Sequence, residues 1–451
     1  MLERNTIMQC ELEVAAHSGS GAKNTSAPIP LFSATPAMVP VVAPPLRVSF
    51  SWTLAGNVVY AATQFGMLSV LAKLGSPSTV GQYALGLAIT APVFMLTNLQ
   101  LRGVQATDAH DQYKFADYFT LRCLCTLVGL SLIAGIVALS HYDTVTKLVV
   151  ILIALAKAIE TFSDLIAAHL QKYERLDQVA AALMLRGLAS VGMFALAFWL
   201  THSLVISVIA LAVTWLAVIC LYDFRVLLPI LQNQVFFRYS YSVLRRLAWL
   251  SLPLGIVMAL NSLSTNIPRY ILEHKLGTAE LGIFASLAYL VTAMGLISVA
   301  LGQSACTRMS RLLADGNISD FTRVLRKLMT MSVLLGATGV LLASTLGKPV
   351  LTLVYRPEYA DHLNLLVVMV IDASVTSMCV FLGFGMTAAR CFRSQIPIMV
   401  ANVVATIVLT YVLLPHFGML GGGFALLLSS TVQASGSYFV LNRALRMRRA
   451  A

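Results

Sequence analysis

At 451 residues, 58% of them hydrophobic and only 11% charged, the chain carries too little charge to solvate the surface of a soluble globule, in which about a quarter of residues are charged. Its net charge of +12 does not form a nucleic-acid stripe, because the lysines and arginines stand singly at the ends of apolar runs, where they act as topology signals. Composition therefore argues against a soluble enzyme and points to lipid as the second solvent.

The first 46 residues are rich in Ala, Ser, Pro and Thr and show no helical apolar face. They lack a basic start followed by an apolar core and a small-residue cleavage site, so they read as a disordered tail rather than a signal peptide. A translation start at Met38 is the alternative to Met1.

From there the apolar pattern predicts twelve spanning helices. They lie near residues 49–72, 80–101, 116–140, 146–170, 178–200, 203–222, 248–270, 280–304, 328–346, 362–388, 395–414 and 419–441. The runs Asn57–Leu71, Leu124–Leu139, Leu148–Ala156 and Leu204–Leu221 contain no Asp, Glu, Lys or Arg. Several approach the roughly 20 apolar residues that a ~30 Å hydrocarbon layer requires. With the N-terminus inside, twenty Lys and Arg residues fall on inner loops and the C-terminal tail and six on outer loops. That asymmetry places both termini in the cytoplasm by the positive-inside rule. None of the seven cysteines falls in an outer loop, so no disulfide is expected, and no Cys/His cluster has zinc spacing.

The chain repeats itself. Lys73-Leu-Gly-Ser-Pro-Ser-Thr-Val-Gly81-Gln-Tyr83-Ala recurs as Lys275-Leu-Gly-Thr-Ala-Glu-Leu-Gly282-Ile-Phe284-Ala, and Phe115-Ala-Asp117-Tyr118 recurs as Ile318-Ser-Asp320-Phe321, at offsets of 201 to 203. Each pair occupies equivalent places in two six-helix halves. The expected fold is therefore all-α and integral to the membrane: a tail (1–46), a six-helix bundle (47–222), a cytoplasmic linker (223–247), a second bundle (248–442) and a basic tail (443–451), with a central cavity between the bundles.

Ionisable groups inside a span cost about 2.5–3.5 kcal/mol each on insertion scales, so they face an interior. Lys157, Glu160 and Asp164 on the fourth span are three and four residues apart and share one helical face. That face reads either as a cavity lining or as an internal salt-bridged stripe. Arg186, two turns into the fifth span, either snorkels to the headgroups or faces the cavity. Asp372 on the tenth span is a candidate gating partner for Lys157, a proton site or a hydrogen-bonded structural acid. The seventh span carries Asn261, Asn266 and Arg269 beside Pro268, which is expected to disturb the helix. Arg269 either offers donors suited to phosphate oxygens or anchors the helix end. No nucleotide-binding GxxxxGK[ST] and no catalytic constellation appears in the short loops, which favours transport over chemistry.

Gly81-Gln-Tyr-Ala-Leu-Gly-Leu-Ala-Ile, Leu99-Gln-Leu-Arg102, Asn266-Ile-Pro-Arg-Tyr270, Leu276 to Phe284, Leu301-Gly-Gln-Ser and Tyr355-Arg-Pro-Glu-Tyr359 resemble bacterial polysaccharide flippases. These O-antigen and exopolysaccharide transporters belong to the multidrug/oligosaccharidyl-lipid/polysaccharide exporter superfamily. The resemblance covers roughly residues 48–445. It implies a fold similar to multidrug and toxin extrusion proteins, an inner-membrane location and inward-to-outward flipping of a polyprenyl-diphosphate sugar. It also implies a pathway shared with a polymerase and glycosyltransferases. Lys157, Arg186, Arg269 and Arg102 would then supply the cationic lining for the diphosphate. No cofactor is expected; a coupling ion, H+ or Na+, stays open. The alternatives are a cation-coupled multidrug antiporter of the same fold, a sugar-phosphate transporter of the other large twelve-span class, and a membrane enzyme acting on lipid-linked sugars.

Overall fold

The computed structural model describes residues 46–108, 112–231, 237, 239–389, 391 and 394–450. The tail expected to be disordered lies outside the described residues up to position 45, together with Cys10 and both candidate starts.

Twelve long helices follow one another: α1 Leu46–Leu74, α2 Pro77–Thr97, α3 Phe115–Leu139, α4 Thr144–Lys172, α5 Leu176–Thr201 and α6 Leu204–Leu231, then α7 Tyr241–Leu276, α8 Thr278–Ala314, α9 Ile318–Val354, α10 Leu363–Ala388, α11 Gln395–Phe417 and α12 Met419–Ala450. Short helices Leu101–Thr107 and Pro357–Ala360 lie between α2 and α3 and between α9 and α10. Eleven of the twelve are long and apolar enough to cross a membrane by length and composition. The twelfth is α4, whose middle carries Lys157, Glu160 and Asp164.

Local signals set the ends. Ser76 accepts a hydrogen bond from the Thr79 N–H at 3.3 Å, with Pro77 in the first helical position of α2. Asp143 caps α4 by accepting from the Thr146 N–H at 3.2 Å. Gly277 at φ +94° and Gly316 at φ +73° turn the chain out of α7 and α8 in conformations that favour glycine. Two expectations shift. The region anticipated as a linker, 223–247, is largely helical, because α6 runs on through a π-helical turn, Ile219–Asp223, to Leu231, and α7 begins at Tyr241. Pro268 does not break α7, which passes through both Pro253 and Pro268.

The repeat is visible in the packing. In the first half α1 packs on α5, α5 on α6, α6 on α4, and α4 on α2 and α3; in the second half α7, α11, α12, α10, α8 and α9 pair in the same order. The second sequence match starts the third helix of each half. Asp117 accepts from the Lys114 N–H at 3.0 Å, and Asp320 accepts from the Asn317 side chain at 2.8 Å.

The halves meet where α2 packs against α7 and α8. At this meeting the repeat-matched glycines cross. A Cβ on Gly81 would sit 1.7 Å from the Thr278 carbonyl oxygen, and one on Gly282 would sit 1.9 Å from that of Pro77. Both glycines therefore permit backbone-to-backbone approach, the contact on which helix association in lipid relies. Ser78 and Thr278 exchange a hydrogen bond at 3.0 Å beside them, and the Arg356 Nη2 donates to the Lys73 carbonyl at 2.9 Å.

One apolar core spans both halves at this end, with Leu68, Leu85 and Ile153 joined to Ile271, Phe284 and Leu366. Toward the arginine-rich end it divides. Leu101, Phe115, Ile166 and Leu227 gather the first half around the opening turns of α7, while Met309, Phe321, Phe381 and Leu441 gather the second. One core thus joins the halves away from the arginines, and two separate cores form toward them, the first of which takes in the opening turns of α7.

Candidate functional site

The three charges of α4 fall on one face as their spacing predicts, and their partners come from three other helices of the same half. Lys157 Nζ donates to Glu160 Oε2 at 2.7 Å. The other Glu160 oxygen accepts the Tyr60 hydroxyl from α1 and lies 3.6 Å from Arg186 Nη2 of α5. The Arg186 guanidinium stands over the rings of Tyr60, at 5.1 Å, and Trp215 of α6, at 5.8 Å, and Lys157 Nζ stands 5.4 Å from the same indole. Trp215 is held in place by donating its Nε1–H to Ser190 Oγ at 2.7 Å. α1, α4, α5 and α6 thus converge on two cations, one carboxylate and two electron-rich rings.

The balance of the cluster is positive and its hydrogen bonding is incomplete. Arg186 is only 3% exposed, yet its Nε and Nη1 have no hydrogen-bond partner among the described residues. A guanidinium presents five N–H donors in a planar fork, and the aromatic faces satisfy its charge without accepting those donors in line. The Lys157 side chain remains 27% exposed. The cluster therefore retains unpaired donor capacity at Arg186.

Nearer the arginine-rich end, Asp164 pairs with Arg102 of the short helix Leu101–Thr107 at 3.5 Å, each about a third exposed. The remaining expected residues belong to the other half. Arg269 Nη1 donates to Asn266 Oδ1 at 3.1 Å and its guanidinium stands 5.9 Å from the Tyr289 ring, while its Nε lacks a partner. Asn266 is buried and Asn261 is exposed on α7. Asp372 accepts from Ser430 Oγ of α12 at 2.7 Å. A pair between Lys157 and Asp372 does not form here; each has its own partner within its own half.

Four functional-looking residues had no obvious sequence signal. Tyr60 and Trp215 are single aromatics in apolar spans. Asp223 lies in the π-helical turn of α6, buried, and accepts from Ser163 Oγ at 2.6 Å. Arg122 reads in the sequence as an inner-end topology charge, but it is a 2% exposed side chain two turns into α3 that donates to Asn98 Oδ1 at 2.5 Å.

No family model matches the chain. It is 25% identical, over 401 residues covering 88% of this chain and 99% of the relative, to the capsular polysaccharide biosynthesis protein CapF of Staphylococcus aureus. Among solved structures it is similar to a multidrug resistance MATE family transporter of the MOP superfamily in its inward-facing conformation, with a TM-score of 0.64 at 10% identity, covering 89% of this chain and 96% of that one. An outward-facing conformation of a multidrug resistance MATE family transporter gives 0.59 at 11% identity over 90% and 96%. The chain is a multi-pass membrane protein with the MATE-type transporter fold.

Proposed function

We propose that the protein flips a polyprenyl-diphosphate-linked oligosaccharide, such as an O-antigen, capsule or exopolysaccharide repeat unit, from the cytoplasmic to the outer leaflet. The observation that carries this reading is the buried Arg186 with two unpartnered nitrogens, beside Lys157 and above Glu160. A diphosphate supplies the acceptor oxygens that this fork lacks, and the isoprenoid tail stays in lipid while the head crosses. The relationship to a capsular polysaccharide biosynthesis protein supports a polysaccharide pathway. The arginine-rich end is then cytoplasmic and the membrane is the bacterial inner membrane. Glycosyltransferases and a polymerase would work before and after it, and the protein itself makes or breaks no bond.

The fold equally suits a cation-coupled multidrug antiporter. Asp372, half-buried and bonded to Ser430 without a nearby cation partner among the described residues, supports that second reading, because it is the acid a coupling H+ or Na+ would use.

Reconstituted vesicles separate the two. Wild-type protein is expected to translocate a fluorescent polyprenyl-diphosphate sugar, and Lys157→Ala and Arg186→Ala to slow it about tenfold or more with the folded fraction unchanged. Uptake of a cationic dye driven by an ion gradient, with no flipping of the lipid-linked sugar, is the result that favours the antiporter.

A further inference from the structure

A second charged feature lies outside the passage. At the arginine-rich end, α8 and α9 enclose a recess of about 310 Å³ lined by Arg308, Asp320, Arg323, Val324, Lys327 and Leu328. Arg323 and Lys327 are one turn apart on α9, and Arg308 faces them from α8. Asp320 is already engaged by Arg323 and by the Asn317 side chain. Among the described residues neither Arg308 nor Lys327 has an ion-pair partner, so the recess is net cationic.

Its depth is defined by the sequence. The charge-free stretch of α9 runs from Leu328 to Gly347, twenty residues, between Lys327 and Lys348. Twenty residues rise ~30 Å, the thickness of the hydrocarbon layer. Lys327 therefore stands at the boundary where lipid phosphates lie. On α8 the first charge after the span is Arg308, at the end of an uncharged stretch that begins at Leu281. Below the recess the surface turns apolar: Met331 and Leu334, four and seven residues beyond Lys327 on the same face of α9, are 45% and 61% exposed.

A cationic recess at phosphate depth above an exposed apolar track matches an anionic phospholipid at both ends, with a headgroup among the basic side chains and acyl chains along the helix. We propose that the α8–α9 recess binds the phosphate of an anionic phospholipid from the leaflet on the arginine-rich side, through Arg308, Lys327 and Arg323. This assignment does not depend on what the central passage carries. Arginines that merely obey a topology rule need only lie on the correct side of the membrane. A binding site instead makes the positions around the recess matter more than their neighbours, and Arg311 and Arg326 are such neighbours, exposed on the same two helices but not lining the recess.

Native mass spectrometry of the full-length protein, titrated with phosphatidylglycerol, phosphatidylcholine, inorganic phosphate or polyprenyl diphosphate, tests this. Wild-type protein is expected to retain phosphatidylglycerol about tenfold or more better than phosphatidylcholine. Arg308→Gln/Lys327→Gln should lose that preference, while Arg311→Gln/Arg326→Gln and the charge-keeping Arg308→Lys/Lys327→Arg retain it. The cavity variant Arg186→Gln should leave it untouched. Equal loss in the Arg311/Arg326 variant, full retention in the Arg308/Lys327 variant, or displacement of the lipid by equimolar inorganic phosphate or polyprenyl diphosphate would overturn the assignment.

Discussion

A guanidinium that is 3% exposed inside an apolar bundle must have its charge met and its donors satisfied. Arg186 has the first from Glu160, Tyr60 and Trp215, and only in part the second. Arg122 shows the contrast. It is equally buried and its Nε also lacks a partner among the described residues, but its Nη1 donates to both the carbonyl and side-chain oxygens of Asn98, just where Leu99 and Gln100 adopt φ near +50° to turn the chain out of α2. Arg122 therefore braces the turn out of α2, whereas Arg186 keeps two buried donors, Nε and Nη1, without a partner among the described residues. Replacing Arg122 by Leu is expected to leave the half-buried Asn98 side-chain oxygen without this donor and to lower stability by about 1 kcal/mol, read as a fall in the thermal unfolding midpoint of purified protein. At this scale the sequence was partly legible. The spacing of Lys157, Glu160 and Asp164 placed them on one face, because helical periodicity is local. Their partners Tyr60, Arg186 and Trp215 come from three other helices, and no local pattern encodes which helices become neighbours.

Among the elements, α4 is the one long helix without a stretch long and apolar enough to count as a span by composition. Its start is fixed by Asp143 accepting from Thr146. Asp143→Ala should remove that cap and destabilise the fold by about 1 kcal/mol, measured by chemical or thermal unfolding, with Asp143→Ser close to wild type. The spans themselves were legible as apolar runs, since hydrocarbon thickness imposes their length. Their extensions were not. α8 and α9 are each 37 residues, or about 55 Å, and continue well past the membrane as helices whose charged turns carry no hydropathy signal. The π-helical turn before Phe224 was invisible for a related reason, because an inserted residue changes the hydrogen-bond register without changing composition.

For the molecule as a whole, the repeat that appears in the sequence as two short matches becomes a physical joint. Gly81 and Gly282, equivalent by the repeat, let α2 and α8 touch through their backbones, and the largest core shared by the two halves lies at that end. Gly81→Ala would press a methyl group to within 1.7 Å of a carbonyl oxygen that cannot rotate aside. Expected outcomes are a lower unfolding midpoint and greater labelling of a cysteine placed at Ser78 by an impermeant maleimide added from the joined side. Unchanged labelling would show that this end does not depend on the glycine crossing.

In the proposed function the cationic cluster of α1, α4, α5 and α6 selects what is carried. Binding of polyprenyl diphosphate to purified protein measures it most directly, comparing wild type with Arg186→Gln and using the uncharged polyprenol as the reference. The account predicts diphosphate affinity weakened about tenfold or more in the variant and polyprenol binding unchanged; equal diphosphate affinity in both proteins would contradict it.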